Sequence, residues 1–225
     1  MATTKFGRLW RAWRRGASSG EIAILKADAF GVRTPVAAEG KLDRVHGFLP
    51  DIDMPSLRAL PDGTLGREWA RLLDAQGYAP FDLPPELKAE VIEQTFMVRY
   101  IATHDVMHVL TGFDTSYAGE MGVLSFTVAQ GFAPGGRTQE LAATLLYPLF
   151  APSQRAAIRT NRRVGRAMGE ASRFLLGERW EDRLEARVED LRAEFGVPDP
   201  EAAGVISELL GRRDHADPTD ARLAA

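Results

Sequence analysis

The stretch from Pro84 to Gly112, PPELKAEVIEQTFMVRYIATHDVMHVLTG, decides the fold class of this 225-residue chain. It opens with two prolines, which are favoured in the first turn of a helix, and it closes at a glycine, which commonly ends one. We therefore predict a single helix over residues 84–112, long for a globular protein. It carries two of the chain's four histidines near its C-terminal end.

The rest of the chain is also predicted to be mostly helical. Residues 31–63 are rich in Gly, Pro and Asp and predict loops with short helical pieces, and no run of alternating β-branched residues is found. We predict an all-α, single-domain helical bundle with an N-terminal basic amphipathic segment (1–30), a helical domain (31–213) and a flexible tail (214–225). Further helices are predicted over 64–77, after Glu120, over 137–150 with an interruption at Pro148, and over 153–177, 179–196 and 200–213.

Composition excludes several classes of protein. The net charge of −3 gives no electrostatic argument for nucleic-acid binding, and no nucleic-acid partner is expected. The chain has no cysteine, which rules out disulfides, thiol catalysis and zinc sites with cysteine ligands. No run of about 18 apolar residues is present, so no membrane-spanning segment is predicted. Any metal site must therefore use His, Asp and Glu side chains.

The N-terminal segment KFGRLWRAWRRG, residues 5–16, combines aromatic and basic residues. Its apolar positions, Phe6, Leu9, Trp10 and Trp13, follow helical spacing, and no acidic residue precedes Glu21. A helix of this kind can lie on an anionic membrane surface, and it also resembles a mitochondrial presequence. The remaining alternative is an ordinary helix whose tryptophan face packs on the domain.

The two histidines of the long predicted helix are spaced for a shared site. Successive helical residues are rotated by roughly 100°, so His104 and His108 lie about 40° apart on one face. Asp105 lies at the edge of the same sector. Glu120 follows two glycine-rich turns and begins the next helix, which can pack antiparallel and return its carboxylate to the histidines. Two imidazoles and one or two carboxylates suit zinc or a similar divalent ion.

Other interpretations of these residues stay open. Two histidines four residues apart are a weak signal and often structural. Asp105 could orient an imidazole instead of binding metal, Asp114 could be the contributing carboxylate, and Glu120 could simply favour a helix N-terminus. A zinc protease would want glutamate after the first histidine. A phosphohydrolase built on an adjacent His-Asp pair would need further ligands, and only His46 and His215 remain.

The spacing His104-Asp105-x-x-His108, eleven residues, Glu120 resembles the signature of the Coq4 family of ubiquinone-biosynthesis proteins. Further segments resemble that family in the same order, over roughly residues 55–198. The residues after Glu120 depart from the family's usual pattern, with VLSFTVAQ where a large apolar or aromatic residue and a glutamate are usual. The similar segments are LPDGTLGREWARLLDAQGYAP (60–80), QTFMVRYIATHD (94–105), FTVAQGFAP (126–134) and GERWEDRLEARVEDLRAEFGVP (177–198).

The resemblance implies a function as well as an all-helical fold. It implies a divalent metal, usually zinc, held by His104, Asp105, His108 and Glu120. The reaction implied is decarboxylation at ring carbon C1 of a polyprenylated hydroxybenzoate, coupled in some members to hydroxylation there. This would make the chain a carbon–carbon lyase. An older view of the family implies a non-catalytic scaffold that binds isoprenoid lipid and organises the biosynthetic complex.

The resemblance also implies partners and a location. Other quinone-biosynthesis proteins, an isoprenoid lipid and peripheral membrane contact are expected, and a homodimer is a further candidate. We expect the bacterial cytoplasm, on the inner membrane, with the matrix face of the mitochondrial inner membrane as the alternative.

Two residues near the motif have candidate catalytic roles. Asp105 is expected to be a fourth ligand or a proton-transfer group. Tyr100, one turn before His104, could orient the substrate ring, although a tyrosine of the core is the alternative. Arg99 points elsewhere on the helix and could meet an acidic surface.

Overall fold

The computed structural model describes residues 4–49, 51–77 and 81–207, and within these ranges every regular element is helical. This confirms the all-α prediction. The helices are α1 (Lys5–Arg14), α2 (Ser19–Ala29), α3 (Met54–Arg58), α4 (Leu65–Gln76), α5 (Pro85–Val91), α6 (Thr95–Ala102), α7 (His104–Thr111), α8 (Tyr117–Ala129), α9 (Gly136–Phe150), α10 (Arg155–Ala171), α11 (Val188–Phe195) and α12 (Pro200–Ala203). Short 3-10 turns occupy Val36–Ala38, Asp43–Val45, Pro152–Gln154 and Trp180–Asp182.

Helices α8 and α10 form the central pair of the molecule. Nine of the thirteen residues of α8 are buried, which fits its mainly apolar and small residues. The two helices approach so closely that a Cβ added at Gly165 would lie 2.1 Å from the carbonyl oxygen of Gly122. Glycine at position 165 is therefore a packing requirement, and it fixes the helix that carries Glu120.

The largest hydrophobic cluster surrounds this pair. It joins α4, α6, α7, α8, α10 and α11 through large buried side chains, among them Trp69, Met107, Phe113, Phe126 and Trp180. Burial of side chains of this size is the main favourable contribution to folding. Helix α7 is thus held in the core by Val106, Met107 and Leu110, with its histidines on the remaining side.

The single helix predicted over 84–112 is wrong, because three helices occupy this range. Residues 92–94 separate α5 from α6, and Thr103 separates α6 from α7 with backbone angles of φ −111° and ψ 9°. The Thr103 hydroxyl donates a hydrogen bond of 2.6 Å to the carbonyl of Arg99. Threonine bonded back to the preceding turn bends helices. His104 consequently opens α7, and the four-residue spacing to His108 stays within one helix.

The helix predicted over 179–196 is also shorter than expected. Only Val188–Phe195 is α-helical, after the 3-10 turn at Trp180–Asp182. The carbonyls of Leu184 and Ala186 accept hydrogen bonds from the backbone of Gly66 and Leu65 at 2.9 and 2.8 Å. The first N–H groups of a helix have no partner within the helix. Residues 184–186 supply such partners to the first turn of α4, and they are not helical themselves.

Three further boundaries differ from the prediction. Helix α9 runs through Pro148 to Phe150, since a proline in a last turn removes a single hydrogen bond. Helix α10 ends at Ala171, short of the predicted 177, because Ser172 is extended. The helix predicted over 200–213 ends at Ala203, where Gly204 adopts the left-handed conformation with φ 79°. Residues 208–213 of that predicted helix and the predicted tail, 214–225, lie outside the described residues.

The predicted N-terminal helix forms as α1, but its aromatic face does not pack on the domain. Trp10 and Trp13 are 56% and 69% exposed, while Ala12 is buried. Two of its basic residues instead form ion pairs with the domain, Lys5 with Asp28 and Arg8 with Glu90, both at 2.7 Å. The packed tryptophan face considered from the sequence is therefore wrong. Within the described residues, no helix combines the length and the apolarity that crossing a bilayer requires.

Candidate metal centre

The turn between α7 and α8 brings the predicted ligands together. Gly112 ends α7 in the left-handed conformation, with φ 74°, and its N–H bonds to the carbonyl of His108 at 2.8 Å. Ser116 then caps α8 by accepting a hydrogen bond from the backbone N–H of Gly119. The chain thereby reverses, and Glu120 returns to the side of α7 that carries both histidines.

His104, His108 and Glu120 form a compact group, called here the His-His-Glu cluster. One potential ligand atom from each residue lies within 4.8 Å of the others. The Nε2 atoms of the two histidines are 3.3 Å apart. The Glu120 carboxylate reaches both rings, with Oε1 3.4 Å from Nε2 of His108 and Oε2 3.5 Å from Nε2 of His104. The two imidazole nitrogens and the Glu120 carboxylate thus face one another closely enough to hold one metal ion.

The separation of the two histidine nitrogens is that expected for a tetrahedral zinc site. Ligand atoms about 2.0–2.1 Å from zinc at tetrahedral angles lie roughly 3.3–3.5 Å from one another. The two Nε2 atoms are 3.3 Å apart, and each has a different oxygen of the Glu120 carboxylate at 3.4 or 3.5 Å. An octahedral magnesium site would have edges of about 3.0 Å and prefers oxygen ligands, so it fits less well. Two histidines and one glutamate are also a donor set of catalytic zinc sites, which keep a fourth position open.

His108 is the most firmly oriented member of the cluster. Its side chain is buried, and its Nδ1 lies 3.0 Å from the backbone carbonyl oxygen of Phe113. A carbonyl can only accept, so Nδ1 must carry the proton in this hydrogen bond. In the neutral ring, Nε2 is then left with a lone pair directed at Glu120 and His104. Metal-binding histidines usually donate their other ring N–H to a carbonyl, a carboxylate or a water in this way.

The electrostatics of the cluster show how strongly its members are coupled. Burial acts to raise the pKa of Glu120, but hydrogen bonds and charge from the two histidines outweigh it and hold that pKa well below its usual range. Burial acts to lower the pKa of His108, yet Glu120, the Phe113 carbonyl and Asp105 together raise it above its ordinary value. The carboxylate thus carries a negative charge that a cation or a histidine proton must balance.

Neither aspartate near the motif belongs to the cluster. Asp105 is partly exposed and lies outside the group of ligand atoms, although its charge raises the pKa of His108. Asp114 is buried and accepts hydrogen bonds from the backbone N–H and the hydroxyl of Ser116. Asp114 therefore shapes the turn into α8, and Glu120 is the carboxylate that reaches both histidines.

Tyr100 lies on the α6 side of the cluster. Its ring centroid is 6.0 Å from that of His104, and it also contacts the rings of Phe96 and Phe132 at 6.1 and 6.4 Å. Burial, together with the charge of Glu120, raises the pKa of the Tyr100 hydroxyl, which therefore stays protonated at neutral pH. Tyr100 therefore packs in the core, and its position beside His104 would also let it contact the aromatic ring of a substrate bound at the cluster.

An aromatic group on the other side of the cluster was not found from the sequence. Tyr117 lies one turn before Glu120 on α8, and its ring contacts Tyr147 at 5.2 Å and Phe150 at 6.2 Å. Burial raises the pKa of Tyr147, and the charge of Glu120 raises it further. Helical spacing alone could have indicated Tyr117, which lies three residues before Glu120. The contacts with Tyr147 and Phe150 of α9 depend on the tertiary structure, so the sequence could not indicate them.

Arg99 does not meet an external partner. Its side chain is fully buried and forms an ion pair of 2.7 Å with Glu181, and it also donates to the carbonyl of Glu178. The acidic surface expected from the sequence is therefore a segment of the same chain. Arg99 joins α6 to the 3-10 turn at Trp180–Asp182.

Comparison with known proteins supports the resemblance seen in the sequence. The family model described as coenzyme Q (ubiquinone) biosynthesis protein Coq4 matches residues 49–201. A relative from Danio rerio, the ubiquinone biosynthesis protein COQ4 homolog, mitochondrial, is 28% identical over 201 residues, which are 85% of this chain and 70% of that protein. The homolog of the same name from Xenopus laevis is 30% identical over 83% of this chain and 65% of its own length.

A fungal relative and a solved structure extend the comparison. The ubiquinone biosynthesis protein coq4, mitochondrial, from Botryotinia fuckeliana is 32% identical over 70% of this chain and 56% of its own length. The chain thus spans between 56% and 70% of these three relatives. A crystal structure of a candidate ubiquinone biosynthesis protein from Nostoc punctiforme PCC 73102 has a TM-score of 0.59 and 22% identity, covering 87% of this chain and 88% of that one. This likeness supports the fold.

Proposed function

The chain belongs to the Coq4 family of ubiquinone-biosynthesis proteins, and from this premise we propose that it is a metal-dependent decarboxylase. The substrate is a polyprenylated hydroxybenzoate, and the bond broken joins ring carbon C1 to its carboxylate. The cofactor is zinc or another divalent ion. The observation that carries the proposal is the His-His-Glu cluster, in which one potential ligand atom of each residue lies within 4.8 Å of the others and the two Nε2 atoms are 3.3 Å apart.

The donor set favours a reactive site over a structural one. Closed structural zinc sites usually have four ligands and use cysteine, whereas this cluster supplies three ligands without cysteine. The Glu120 side chain is 36% exposed, so the cluster is accessible from the surface. Two neutral imidazoles and one carboxylate would leave a divalent ion with a net positive charge, which attracts an aromatic carboxylate.

Each residue has a defined task in the proposed reaction. When bound, the metal supplies a Lewis acid that favours negative charge on the oxygens of the substrate. His104, His108 and Glu120 hold it, and the Tyr100 ring, packed against His104, orients the substrate ring. As the bond to C1 breaks and carbon dioxide leaves, the electron pair stays on C1 and accepts one proton, which we assign to Asp105. An oxidative form would place a hydroxyl on that carbon, and it would require dioxygen together with a two-electron reductant and two protons, so that the second oxygen atom leaves as water.

The second candidate function is a non-catalytic scaffold that binds isoprenoid lipid and organises other quinone-biosynthesis proteins. The exposed aromatic side chains of α1, Phe6, Trp10 and Trp13, favour it because such a surface serves binding and not chemistry. Peripheral membrane contact is expected in either function. The relatives from Danio rerio and Talaromyces stipitatus are named mitochondrial, so we propose the mitochondrial matrix face alongside the bacterial inner membrane as the location.

The test combines metal analysis with turnover in the full chain. Carbon dioxide release from a prenylated 4-hydroxybenzoate is measured for wild type, Glu120→Gln and the control Glu93→Gln, which changes an exposed carboxylate paired with His46. We expect one metal per chain and turnover in wild type and control, and loss of both in Glu120→Gln. Stoichiometric metal without turnover, with lipid still bound, would favour the scaffold. Absence of metal from wild type would exclude the proposed mechanism.

The role of Asp105 is tested separately. Asp105→Asn should retain the metal, because the Asp105 carboxylate lies outside the cluster, and should lose turnover by roughly 10²- to 10⁴-fold, as removal of a proton-transfer group does. Tyr100→Phe keeps the ring and is expected to change turnover far less. Loss of metal in Asp105→Asn would instead make Asp105 a fourth ligand.

A further inference from the structure

Helix α9 presents an apolar face to the outside of the molecule. Leu145 and Leu149 are 64% and 65% exposed. Leu141, Leu146 and Phe150 are exposed beside them, and the five residues are called here the α9 ridge. Five large apolar side chains on the outside of one helix are unusual, because isolated apolar residues are common on surfaces and contiguous groups mark interaction sites.

The inner face of α9 explains why the ridge faces outward. The helix is anchored by Glu140, which is buried and accepts from the Ser125 hydroxyl on α8 at 3.0 Å. Arg162 and Arg166 of α10 bind the same carboxylate at 3.1 and 2.7 Å. The buried side thus holds this ionic network together with Ala143 and Tyr147, and the leucines lie on the outside. The contacts of Glu140 fix the orientation of the ridge.

The surface next to the ridge is strongly basic. Between Leu141 and Gly169 the sequence has five arginines and no acidic residue. Arg162 and Arg166 neutralise Glu140. Arg155, Arg159 and Arg163 are exposed on α10, and none of them pairs with a carboxylate of the described residues. An apolar helix face beside unneutralised arginines is the chemistry of a helix that lies in the interface of an anionic bilayer.

We propose that the α9 ridge is the surface by which this protein docks on an anionic lipid bilayer. The leucines and Phe150 enter the boundary between headgroups and acyl chains, and the arginines of α10 contact the phosphates. A second copy of the chain is a poorer occupant. Two such faces would bring arginines against arginines, and the stretch 141–169 offers no carboxylate to separate them.

The position of the ridge relates docking to the candidate metal centre. Phe150 at the C-terminal end of the ridge contacts Tyr117 with its ring nearly parallel, at an interplanar angle of 29°. Tyr117 is on α8 one turn before Glu120. An isoprenoid acid that leaves the bilayer along α9 would thus meet Tyr117 and then the cluster. This last step rests on the proposed function, whereas the docking surface does not.

The absence of cysteine from the chain allows a direct test with the full-length protein. A single cysteine is introduced as Leu145→Cys or, as the control, Val36→Cys, which replaces another exposed apolar residue far from α9 in sequence. Each is labelled with an environment-sensitive fluorophore and mixed with phosphatidylcholine vesicles, with and without phosphatidylglycerol. We expect a blue shift and higher intensity for the label at position 145 on the anionic vesicles, and no change at position 36.

Charge variants measure the contribution of each part of the surface. Leu145→Glu/Leu149→Glu should lower partitioning onto anionic vesicles at least about tenfold, and Arg159→Gln should lower it roughly fivefold. All three positions are exposed, so the fold should survive, as checked by circular dichroism. Trp10→Ser/Trp13→Ser tests the other exposed aromatic surface. Loss of binding in that variant, with none in the α9 variants, would overturn the proposal and assign docking to α1.

Two further outcomes would also overturn it. Wild type that does not bind vesicles would exclude docking by any surface. A wild-type dimer that Leu145→Glu/Leu149→Glu converts to monomer, with vesicle binding unchanged, would assign the ridge to a second copy. Because vesicle binding needs neither metal nor turnover, Glu120→Gln should bind vesicles like wild type. Failure of the reaction and failure of docking are therefore distinguishable.

Discussion

The Nε2 atoms of His104 and His108 lie 3.3 Å apart, and both face the carboxylate of Glu120. Two neutral imidazoles with lone pairs directed at each other repel, unless a proton or a cation lies between them. Since Nδ1 of His108 is bonded to the Phe113 carbonyl, its Nε2 is the available ligand atom. The cluster is thus suited to a positive charge, from a cation or a histidine proton, which gives the metal hypothesis its physical basis.

The first prediction concerns His108. His108→Ala removes a buried, oriented ligand and should weaken zinc binding by more than about 100-fold. Loss of a hydrogen-bond partner of a metal ligand, a smaller change, already lowers metal affinity by about 10- to 100-fold. Zinc should raise the unfolding temperature of wild type, because it binds only the native state, and should not raise that of the variant. The matched control is His46→Ala, which removes an exposed histidine bound to Thr95. Equal zinc affinity in the two variants would contradict the assignment.

The second prediction concerns the turn that positions the Phe113 carbonyl. Gly112 has φ 74°, a left-handed conformation that costs roughly 1–2 kcal/mol for a residue with a Cβ. Gly112→Ala should therefore lower the free energy of unfolding by about that amount. It should also weaken zinc binding, because relaxation of the turn shifts the carbonyl that orients His108.

Gly77 provides the control for this prediction. It ends α4 with φ 65°, and an added Cβ there would contact nothing within 4 Å. Gly77→Ala should cost similar stability without changing zinc affinity. Isothermal titration with zinc and urea unfolding separate the two effects. If both variants bind zinc like wild type, the Phe113 carbonyl does not control the ligand.

Much of the fold follows from local sequence signals, and the exceptions have local causes. Thr64 and Gly77 bound α4 as predicted, because a threonine cap and a left-handed glycine are strong boundary signals. The break at Thr103 was not predictable from spacing. Threonine is tolerated within helices, and Thr144 makes the same hydroxyl-to-carbonyl bond inside the continuous helix α9. Only the backbone angles of Thr103 in the folded chain show the break.

The candidate site also has features that follow from the local sequence and features that depend on the tertiary structure. The pairing of His104 with His108 follows from four-residue spacing once both are in one helix. The return of Glu120 depends on the turn at Gly112 and on the packing of α8 against α10, so spacing alone left Asp114 equally plausible. Asp105 was placed at the edge of the sector, and the structure keeps it outside the group of ligand atoms. The aromatic residues of α9 lie too far along the chain for any local signal.

The third prediction concerns the contact between α8 and α10. In Gly165→Ala the new Cβ would lie 2.1 Å from the carbonyl oxygen of Gly122, so the helices must separate. Overpacking of this kind costs about 1–3 kcal/mol, and contact with backbone, which cannot rotate away, favours the upper end. Gly16→Ala is the control, because a Cβ there meets nothing within 4 Å and adds only the strain of φ 71°. Equal urea midpoints for the two variants would contradict the close packing.

The fourth prediction concerns the buried ion pair between Arg99 and Glu181. Arg99 is fully buried and the Glu181 side chain is 8% exposed, yet Nε of Arg99 and Oε2 of Glu181 have no hydrogen-bond partner among the described residues. Removing one member leaves a buried charge alone, which typically costs about 3–5 kcal/mol. Arg99→Met and Glu181→Leu should each reduce the free energy of unfolding by an amount in that range.

The double variant of this pair distinguishes a buried charge from lost packing. Arg99→Met/Glu181→Leu removes both charges together, and an incompletely bonded buried pair can be replaced by apolar residues at little cost. The double variant should therefore be more stable than either single variant in urea unfolding. The exposed pair Arg8–Glu90 is the control, and Arg8→Gln should cost less than about 1 kcal/mol. A double variant as unstable as the sum of the single ones would instead show that Arg99 and Glu181 act independently, through their other contacts.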